Sequence, residues 1–260
     1  MNIDIIEAIK NIANEELSHR FANVARSHKA DGSFVTEADL AMQSRIQLLL
    51  KEKYPEIGFL GEEMTVEQQQ AVLESAQGVW ILDPLDGTSN FSAGIPYYAV
   101  SLAYIKHGKI KWGMVYDPER DECFSATHGA GAQLNGVSLL KQEAGVSIDK
   151  STAVIDFKRL DKNLAARIAS QPPYSSQRSF GGVALDWCWL AAGRYHLYLH
   201  GKQNIWDYAA GHLIFNEVGG YACTLQSKPV FDFSLNPRSA VAALDKQLFN
   251  EWCLYLGVDI

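Results

Sequence analysis

Two aspartates behind an apolar run are the residues of this sequence with the clearest chemical potential. The run from Gly78 to Leu82 is rich in β-prone residues and predicts a buried strand. It is followed by Asp83-Pro84-Leu85-Asp86-Gly87-Thr88. Proline fixes its own φ and glycine permits a tight turn, so both carboxylates can point at a common centre. Oxygen ligands of this kind suit Mg²⁺. The pattern therefore indicates either a magnesium site or an ordinary Asp-Pro and Asp-Gly turn with solvated acids.

Other acidic and hydroxyl side chains have two interpretations each. Glu62 and its neighbour Glu63 follow a short predicted strand. Their side chains are either functional or, as is more common for such a pair, simply exposed to solvent. Asp207 follows Trp206 at the first turn of an apolar helix, where it either caps the helix or requires a partner for its charge. Asp39 belongs to Thr36-Glu37-Ala38-Asp39, which reads as a capping box. The amides of Gly87 and Thr88 would suit a phosphate if a helix begins there, although the Thr88 hydroxyl is equally a simple cap.

Composition excludes several classes of function. The chain has 260 residues, 47% of them hydrophobic and 20% charged, which is typical of a globular protein. Its net charge of −7 argues against a nucleic-acid partner. Four separated cysteines without a CxxC pair favour reduced thiols, and Asp4 and Glu7 argue against an N-terminal signal or membrane anchor. We therefore expect a cytoplasmic protein that binds neither nucleic acid nor membranes.

Hydrophobic periodicity predicts an α+β half followed by an α/β half. We divide the chain into residues 1–145, with the acidic motifs, and residues 146–260, which supply Asp207; together they form one compact catalytic unit. The predicted helices are 3–25, 37–54, 65–77, 160–170, 183–193, 206–218 and 245–256. The predicted strands are 58–61, 78–82, the hairpin 98–106 and 110–116, 122–127, 151–157, 195–199, 221–224 and 239–244. His196 and His200 therefore read as neighbours on a sheet face rather than as metal ligands.

Taken together, the motifs resemble those of the inositol monophosphatase family of magnesium-dependent, lithium-sensitive phosphatases. The resemblance extends over most of the chain, and its motifs stand in the family's order. They are Val35-Thr36-Glu37-Ala38-Asp39, Gly61-Glu62-Glu63, Trp80 to Phe91, Gly113 to Pro118, Gly129-Ala130-Gly131-Ala132, Trp206-Asp207 and Glu217-Val218-Gly219-Gly220.

The resemblance implies a layered α-β-α-β-α sandwich of the inositol monophosphatase and fructose-1,6-bisphosphatase type, and a homodimer. It also implies two or three Mg²⁺ ions. Glu62, Asp83 and the Leu85 carbonyl would hold the ion that activates the attacking water; Asp83, Asp86 and Asp207 would hold a second; Glu62 and waters would hold a third. Thr88, supported by Asp39, would orient that water, and the amides of Gly87 and Thr88 would bind the phosphate.

Departures from the family pattern concern the alcohol pocket. Inositol-selective members carry a glutamate seven residues before the last metal aspartate, where this chain has His200. Gly181-Gly182-Val183 replaces Gly-Thr-Ala, and Ser33 replaces an aspartate after Lys29. We expect a small phosphorylated substrate, with inositol monophosphate as the default and histidinol phosphate, a nucleotide 3′-phosphate or a sugar phosphate as alternatives. The alternative of another class is a non-catalytic, metal-binding regulatory protein.

Overall fold

The computed structural model describes residues 3–22, 27–28, 34–75 and 78–260. The helices are α1 (Ile3–Leu17), α2 (Glu37–Lys53), α3 (Val66–Ser75), α4 (Thr88–Ala93), α5 (Lys162–Ser170), α6 (Val183–Ala191), α7 (Ile205–Glu217) and α8 (Lys246–Leu256). The strands are β1 (Ser27–His28), β2 (Phe34–Val35), β3 (Gly58–Gly61), β4 (Gly78–Asp86), β5 (Ala99–Lys106), β6 (Lys109–Asp117), β7 (Glu122–Thr127), β8 (Ala132–Leu134), β9 (Val137–Ser138), β10 (Thr152–Asp156), β11 (Ser176–Arg178), β12 (Leu197–Gln203), β13 (Tyr221–Cys223) and β14 (Arg238–Ala243).

Strands β3 to β9 form a seven-stranded sheet in sequence order. Strand β3 pairs with β4 in parallel, and every later neighbour is antiparallel. The parallel pair brings the end of β3, and therefore Glu62, beside the end of β4 with its two aspartates.

The C-terminal strands form a five-stranded sheet of order β11-β10-β12-β14-β13. Strands β11, β10 and β12 are parallel, whereas β14 runs antiparallel to both β12 and β13. Parallel pairing places the C-terminal ends of β10 and β12 together, which makes Asp156 and His200 register partners.

The alternation of side chains along the strands produces five layers. On β4, Trp80 and Leu82 pack in one apolar cluster with α1 and α2, whereas Val79 and Ile81 belong to a second cluster with α6 and α7. That second cluster also includes the inward-facing residues of β12 and β14. The outer face of these two strands packs in a third cluster with α5 and α8. The α-β-α-β-α sandwich predicted from the sequence is confirmed.

The predicted elements differ from the structure mainly at their ends. The first helix ends at Leu17 rather than at residue 25, and the strand predicted to begin at residue 195 begins at Leu197. His196 therefore lies before β12, where its Nδ1 accepts a hydrogen bond from the Thr152 amide at 2.9 Å, and it is not a neighbour of His200 on the sheet. The division of the chain at residue 145 stays a prediction. In the described ranges we find no helix that is both long and apolar enough to span a membrane.

The motifs Gly129-Ala130-Gly131-Ala132 and Glu217-Val218-Gly219-Gly220 contact each other and do not line the cavity of the predicted metal ligands. The carboxylate of Glu217, the last residue of α7, accepts hydrogen bonds from the amides of Gly129 and Gly131 at 2.8 and 2.9 Å. The contact fixes the loop between β7 and β8 to the end of the helix that carries Asp207, so these motifs position the site rather than line it.

Candidate metal and phosphate site

Three carboxylates from separate parts of the chain converge at one end of the seven-stranded sheet. Glu62 follows β3, Asp83 lies on β4, and Asp207 lies in the first turn of α7. Each offers one oxygen atom, and the three atoms lie within 4.8 Å of one another. Asp207 also accepts a hydrogen bond from the Asn204 amide at 2.7 Å, so it supports the start of its helix as well as the cluster. The capping interpretation and the site interpretation of Asp207 are therefore compatible.

Burial and the repulsion of neighbouring carboxylates disfavour ionisation of Asp83 and Asp207 in the metal-free protein. Burial raises the pKa of Asp83 well above its usual value, and the charges of Glu62, Asp86 and Asp207 raise it further. The pKa of Asp207 is raised by burial and then by Glu62 and Asp86. Such a group of carboxylates is costly without a cation, because each charge is removed from water without compensation.

Asp86 lies beside this cluster and holds the start of helix α6. Its Oδ2 accepts a hydrogen bond from the Ala184 amide at 2.7 Å, and the Val183 amide is a second donor. Burial raises the pKa of Asp86 to about 7 in spite of these donors. Asp86 lies outside the group of three oxygen atoms within 4.8 Å, although it lines the same cavity. Its role as a ligand stays a prediction.

Thr88 and Asp39 form the hydrogen-bonded pair that the sequence motifs suggest. The Thr88 hydroxyl lies 3.0 Å from Asp39 Oδ1 and 3.0 Å from the Leu85 carbonyl, two acceptors for its single proton. The other carboxylate oxygen of Asp39 accepts from the amide and hydroxyl of Thr36 at 2.8 and 2.6 Å. The capping box of α2 is therefore present, and it directs a fully buried carboxylate toward Thr88. Burial raises the pKa of Asp39, and the donors Thr36 and Thr88 act against that rise.

The turn after β4 leads directly into helix α4. Gly87 is the N-cap with φ of 88°, and a side chain at this position would lie 2.8 Å from the Tyr97 carbonyl. Both the left-handed conformation and the close approach require glycine. The first amides of a helix have no acceptor within the helix, so the start of α4 faces the cavity with donors suitable for a phosphate.

A cavity of about 610 Å³ joins these groups to the residues predicted to bind the alcohol. His200, Gly181, Gly182 and Val183 all line it together with the carboxylates, Gly87 and Thr88. Lys29 and Ser33, the latter at a position where the family often has aspartate, lie outside the described residues.

The donor set fits Mg²⁺ better than a softer metal. The three-residue group consists of carboxylate oxygens, without a cysteine or histidine ligand. Burial is the main cause of the raised pKa values of Asp83, Asp86 and Asp207, and neighbouring carboxylates add to it. Glu62, Asp83, Asp86, Asp207 and the Leu85 carbonyl are the residues that would hold the ions.

Comparison with known proteins identifies the family. The family model described as the inositol monophosphatase family matches residues 1–254. The chain belongs to the inositol monophosphatase family.

Relatives in this family have two kinds of name. Nus factor SuhB of Haemophilus influenzae is 31% identical and covers 100% of this chain and 97% of its own. Inositol monophosphatase 1 of Bos taurus is 30% identical, over 91% of this chain and 86% of its own.

Solved structures share the whole fold. The SuhB protein of Bartonella henselae has a TM-score of 0.82 at 28% identity and covers 99% of both chains. Staphylococcal IMPase-II with bound 2′AMP has a TM-score of 0.78 at 28% identity, over 95% of this chain and 88% of its own. The same staphylococcal enzyme with bound inositol monophosphate has a TM-score of 0.77 at 26% identity, over 95% and 89% of the two chains.

The motifs did not indicate four charged residues that also line the cavity. Asp156 lies at the end of β10, Lys158 and Arg159 lie in the 3-10 turn Phe157–Arg159, and Asp186 lies on α6. Asp186 is buried, accepts a hydrogen bond from the Tyr97 hydroxyl at 2.8 Å, and has its pKa raised by burial to about 8. The available signal was an acidic residue on an otherwise apolar helix and an Asp-x-Lys-Arg sequence at the end of a strand.

Proposed function

We propose that this protein is a Mg²⁺-dependent phosphomonoesterase that hydrolyses a small phosphorylated alcohol by attack of an activated water. The observation that carries the proposal is the convergence of Glu62, Asp83 and Asp207 in the same cavity as the Thr88–Asp39 pair. A metal-binding scaffold requires the carboxylates alone, whereas hydrolysis also requires a group that orients water.

The residues of this chain would divide the chemistry between them. Bound Mg²⁺ supplies charge neutralisation for phosphoryl oxygens and lowers the pKa of a water molecule. The Leu85 carbonyl is one of the two acceptors of the Thr88 hydroxyl, so its use as a ligand leaves Asp39 as the acceptor of the Thr88 proton. The free lone pairs of Thr88 Oγ1 can then accept a hydrogen bond from the attacking water. The amides of Gly87 and Thr88 would orient the phosphate for attack.

Inositol monophosphate is the default substrate within this proposal. One support is the relative named inositol monophosphatase 1, and another is staphylococcal IMPase-II, whose structures hold inositol monophosphate or 2′AMP. Histidinol phosphate, a nucleotide 3′-phosphate and a sugar phosphate remain alternatives, because His200 stands where inositol-selective members have glutamate. The number of Mg²⁺ ions, inhibition by Li⁺, the homodimer and a cytoplasmic location stay predictions from the resemblance.

Release of inorganic phosphate from a substrate panel tests the proposal. We expect turnover of at least one member of the panel with Mg²⁺ and none after chelation of divalent cations. Asp207→Asn is the matched control, since it should abolish turnover by a protein that still folds. A panel without phosphate release by folded, Mg²⁺-loaded protein contradicts the proposal.

A second candidate function is a non-catalytic, metal-binding regulatory role. The observation that favours it is the name Nus factor carried by the Haemophilus influenzae relative. This role predicts that Thr88→Ala, which leaves the carboxylates in place, keeps the biological phenotype of the protein intact, whereas the enzymatic role predicts that it abolishes the phenotype.

A further inference from the structure

The turn that carries Lys158 and Arg159 lines the cavity and packs closely against β12. It follows β10 directly, so it lies at the edge where β10 and β12 end. The Arg159 carbonyl lies 1.9 Å from the position that a Cβ on Gly201 would occupy, which shows how closely the turn packs on β12. Both cationic side chains are exposed and line the cavity. Their backbone is thus held in place while their charged ends remain available to a ligand.

The ends of β10 and β12 and the turn with Lys158 and Arg159 form one wall of the cavity. Positive and negative charges on this wall are not equal in number. Asp156 is its carboxylate, and it faces His200 Nε2 at 3.1 Å and Arg159 Nε at 4.0 Å. Burial opposes the ionisation of Asp156, but the hydrogen bond from His200 and the charge of Arg159 bring its pKa below the usual value. Across the described ranges Lys158 forms no ion pair. Two cationic side chains, Lys158 and Arg159, therefore stand against the single carboxylate of Asp156 on this wall.

The residues of this wall belong to a different sheet from most of the residues that would bind the metal ions. Asp83 and Asp86 lie on β4 and Glu62 directly follows β3 in the seven-stranded sheet, whereas Lys158 and Arg159 follow β10 of the five-stranded sheet. The positive charge of Arg159 also acts on Asp207, whose pKa it lowers against the effect of burial. The charge of one phosphate ester would be met by the metal ions and the amides of α4. The hydroxyl groups of a neutral polyol would leave the excess positive charge of this wall without a partner.

We propose that Lys158 and Arg159 form a subsite for a second anionic group, so that the preferred substrate is a phosphomonoester that also carries a carboxylate or a second phosphate. The inference rests on the proposed function, because it takes the scissile phosphate to lie at Gly87 and Thr88. Arg159 offers the planar pair of donors that binds either anion, and Lys158 adds a mobile point charge.

Binding of phosphonates tests the subsite without turnover, since the C–P bond is not a substrate for ester hydrolysis. The probes are alkylphosphonates of increasing chain length that end in a methyl, a carboxylate or a second phosphonate, titrated calorimetrically into Mg²⁺-loaded protein. We expect the doubly anionic probes to bind about tenfold more tightly than the methyl-ended probe of equal length, in keeping with a hydrogen-bonded ion pair. The carboxylate and phosphonate series show which second anion is preferred.

The double variant Lys158→Gln/Arg159→Gln should remove this preference and leave binding of the methyl-ended probe unchanged. Lys162→Gln is the matched control, because Lys162 is an exposed lysine a few residues further along that does not line the cavity. Equal affinity of the wild-type protein for matched probes overturns the subsite. An equal loss for singly and doubly anionic probes in the double variant also overturns it, since that result describes general attraction of anions.

Phosphate release from phosphoglycerate and glycerol phosphate separates this inference from the proposed function. A binding preference for doubly anionic probes in a protein that hydrolyses nothing supports the subsite and contradicts the phosphatase. Turnover of both esters with equal kcat/KM, and no preference among the phosphonates, supports the phosphatase and overturns the subsite.

Discussion

At the scale of single residues, the site depends on hydrogen bonds whose direction can be assigned by counting protons. The Thr88 hydroxyl has one proton and two acceptors within reach, Asp39 and the Leu85 carbonyl. Asp39 has both oxygens occupied by donors, Thr88 on one side and Thr36 on the other. The Thr88 hydroxyl is therefore held in place by Asp39 and the Leu85 carbonyl, and its oxygen has lone pairs that can accept a further hydrogen bond.

Replacement of Thr88 by alanine should reduce catalysis far more than stability. Positioning of a general base contributes about 10²–10⁴-fold in rate, and loss of one hydrogen bond costs about 1 kcal/mol. We expect kcat to fall by that factor with a small change in Tm, as measured by phosphate release and thermal unfolding. Thr88→Ser keeps the hydroxyl and should retain most of the rate. A Thr88→Ala variant that loses stability but keeps its turnover contradicts the catalytic assignment.

Replacement of Asp207 by asparagine removes one charge and keeps the oxygen that accepts from the Asn204 amide. Since the loss of groups that merely orient metal ligands costs about 10–100-fold, loss of a ligand charge should lower kcat at least that much. Removal of a repelling buried charge should leave the metal-free protein as stable as the wild type, or more so. Phosphate release and chemical denaturation in chelator measure the two effects. Turnover near that of the wild type shows that Asp207 is not a metal ligand.

At the scale of secondary structure, the ends of three helices meet at the site. Helices α2 and α7 each carry an aspartate three residues after the N-cap, and that aspartate accepts the backbone amide of the cap residue. The start of helix α6 is stabilised differently, by a carboxylate from another element. Its first amides, those of Val183 and Ala184, donate hydrogen bonds to Asp86 on β4. Each helix start is thus stabilised by an acid. Asp86 and Asp207 also line the cavity, and the buried Asp39 contacts Thr88, which lines it.

The role of Asp86 at the start of α6 can be separated from its charge. Asp86→Asn and Asp86→Ala both remove the negative charge, but only alanine leaves the Val183 and Ala184 amides without an acceptor. A buried donor without a partner costs about 1–3 kcal/mol, so Asp86→Ala should be less stable than Asp86→Asn by that amount. Urea denaturation in the presence of chelator measures the difference. Equal stability of the two variants would show that water replaces the lost acceptor.

At the scale of the whole molecule, the site lies where the two sheets approach each other through the central helices. The seven-stranded sheet provides Glu62, Asp83 and Asp86, α7 provides Asp207, and the five-stranded sheet provides Asp156 and His200. Because several buried acids lie close together at this junction, they lower the stability of the metal-free protein. Stability of the entire protein should therefore respond to metal and to pH together.

The stabilisation by Mg²⁺ should increase as the pH rises from about 5 to about 8. Asp86 has a pKa of about 7 in the folded, metal-free protein against an ordinary value of 3.8. Because the folded pKa is the higher one, the metal-free protein loses stability as the pH rises from about 4 through about 7. Mg²⁺ binds the deprotonated carboxylates, so its contribution grows over the same interval, reaching about 2.7 kcal/mol at a hundred times Kd.

Thermal unfolding with Mg²⁺ and with chelator, repeated over this pH interval, measures that difference. Asp186 also has a raised pKa, and its charge acts on Asp86, so it contributes to the same pH dependence. Asp207→Asn is the control variant and should show a smaller effect of Mg²⁺ at every pH. A Tm difference that is constant with pH, or larger at acid pH, contradicts the metal assignment.

The sequence predicted the parts of this molecule that depend on local pattern. Asp83, Asp86 and Thr88 lie on one short segment, and the capping box of Asp39 follows from four consecutive residues, so both were evident without the fold. Asp156, Lys158 and Arg159 join the cavity only because β10 pairs with β12, a contact between residues far apart in sequence. The short strands β8, β9 and β11 were missed because two or three residues give no measurable periodicity.

The double use of Asp39 has a consequence for how such chains evolve. The carboxylate stabilises the start of helix α2 by accepting hydrogen bonds from Thr36, and it also accepts a hydrogen bond from the Thr88 hydroxyl. A lineage that gave up catalysis would still lose about 1 kcal/mol of stability on replacing a helix cap, so selection for folding would keep Asp39 and Thr36. The Thr88 side chain, in contrast, does not cap a helix, because the N-cap of α4 is Gly87. In a descendant that binds ligands without catalysis, we therefore expect Thr88 to be substituted before Thr36 or Asp39.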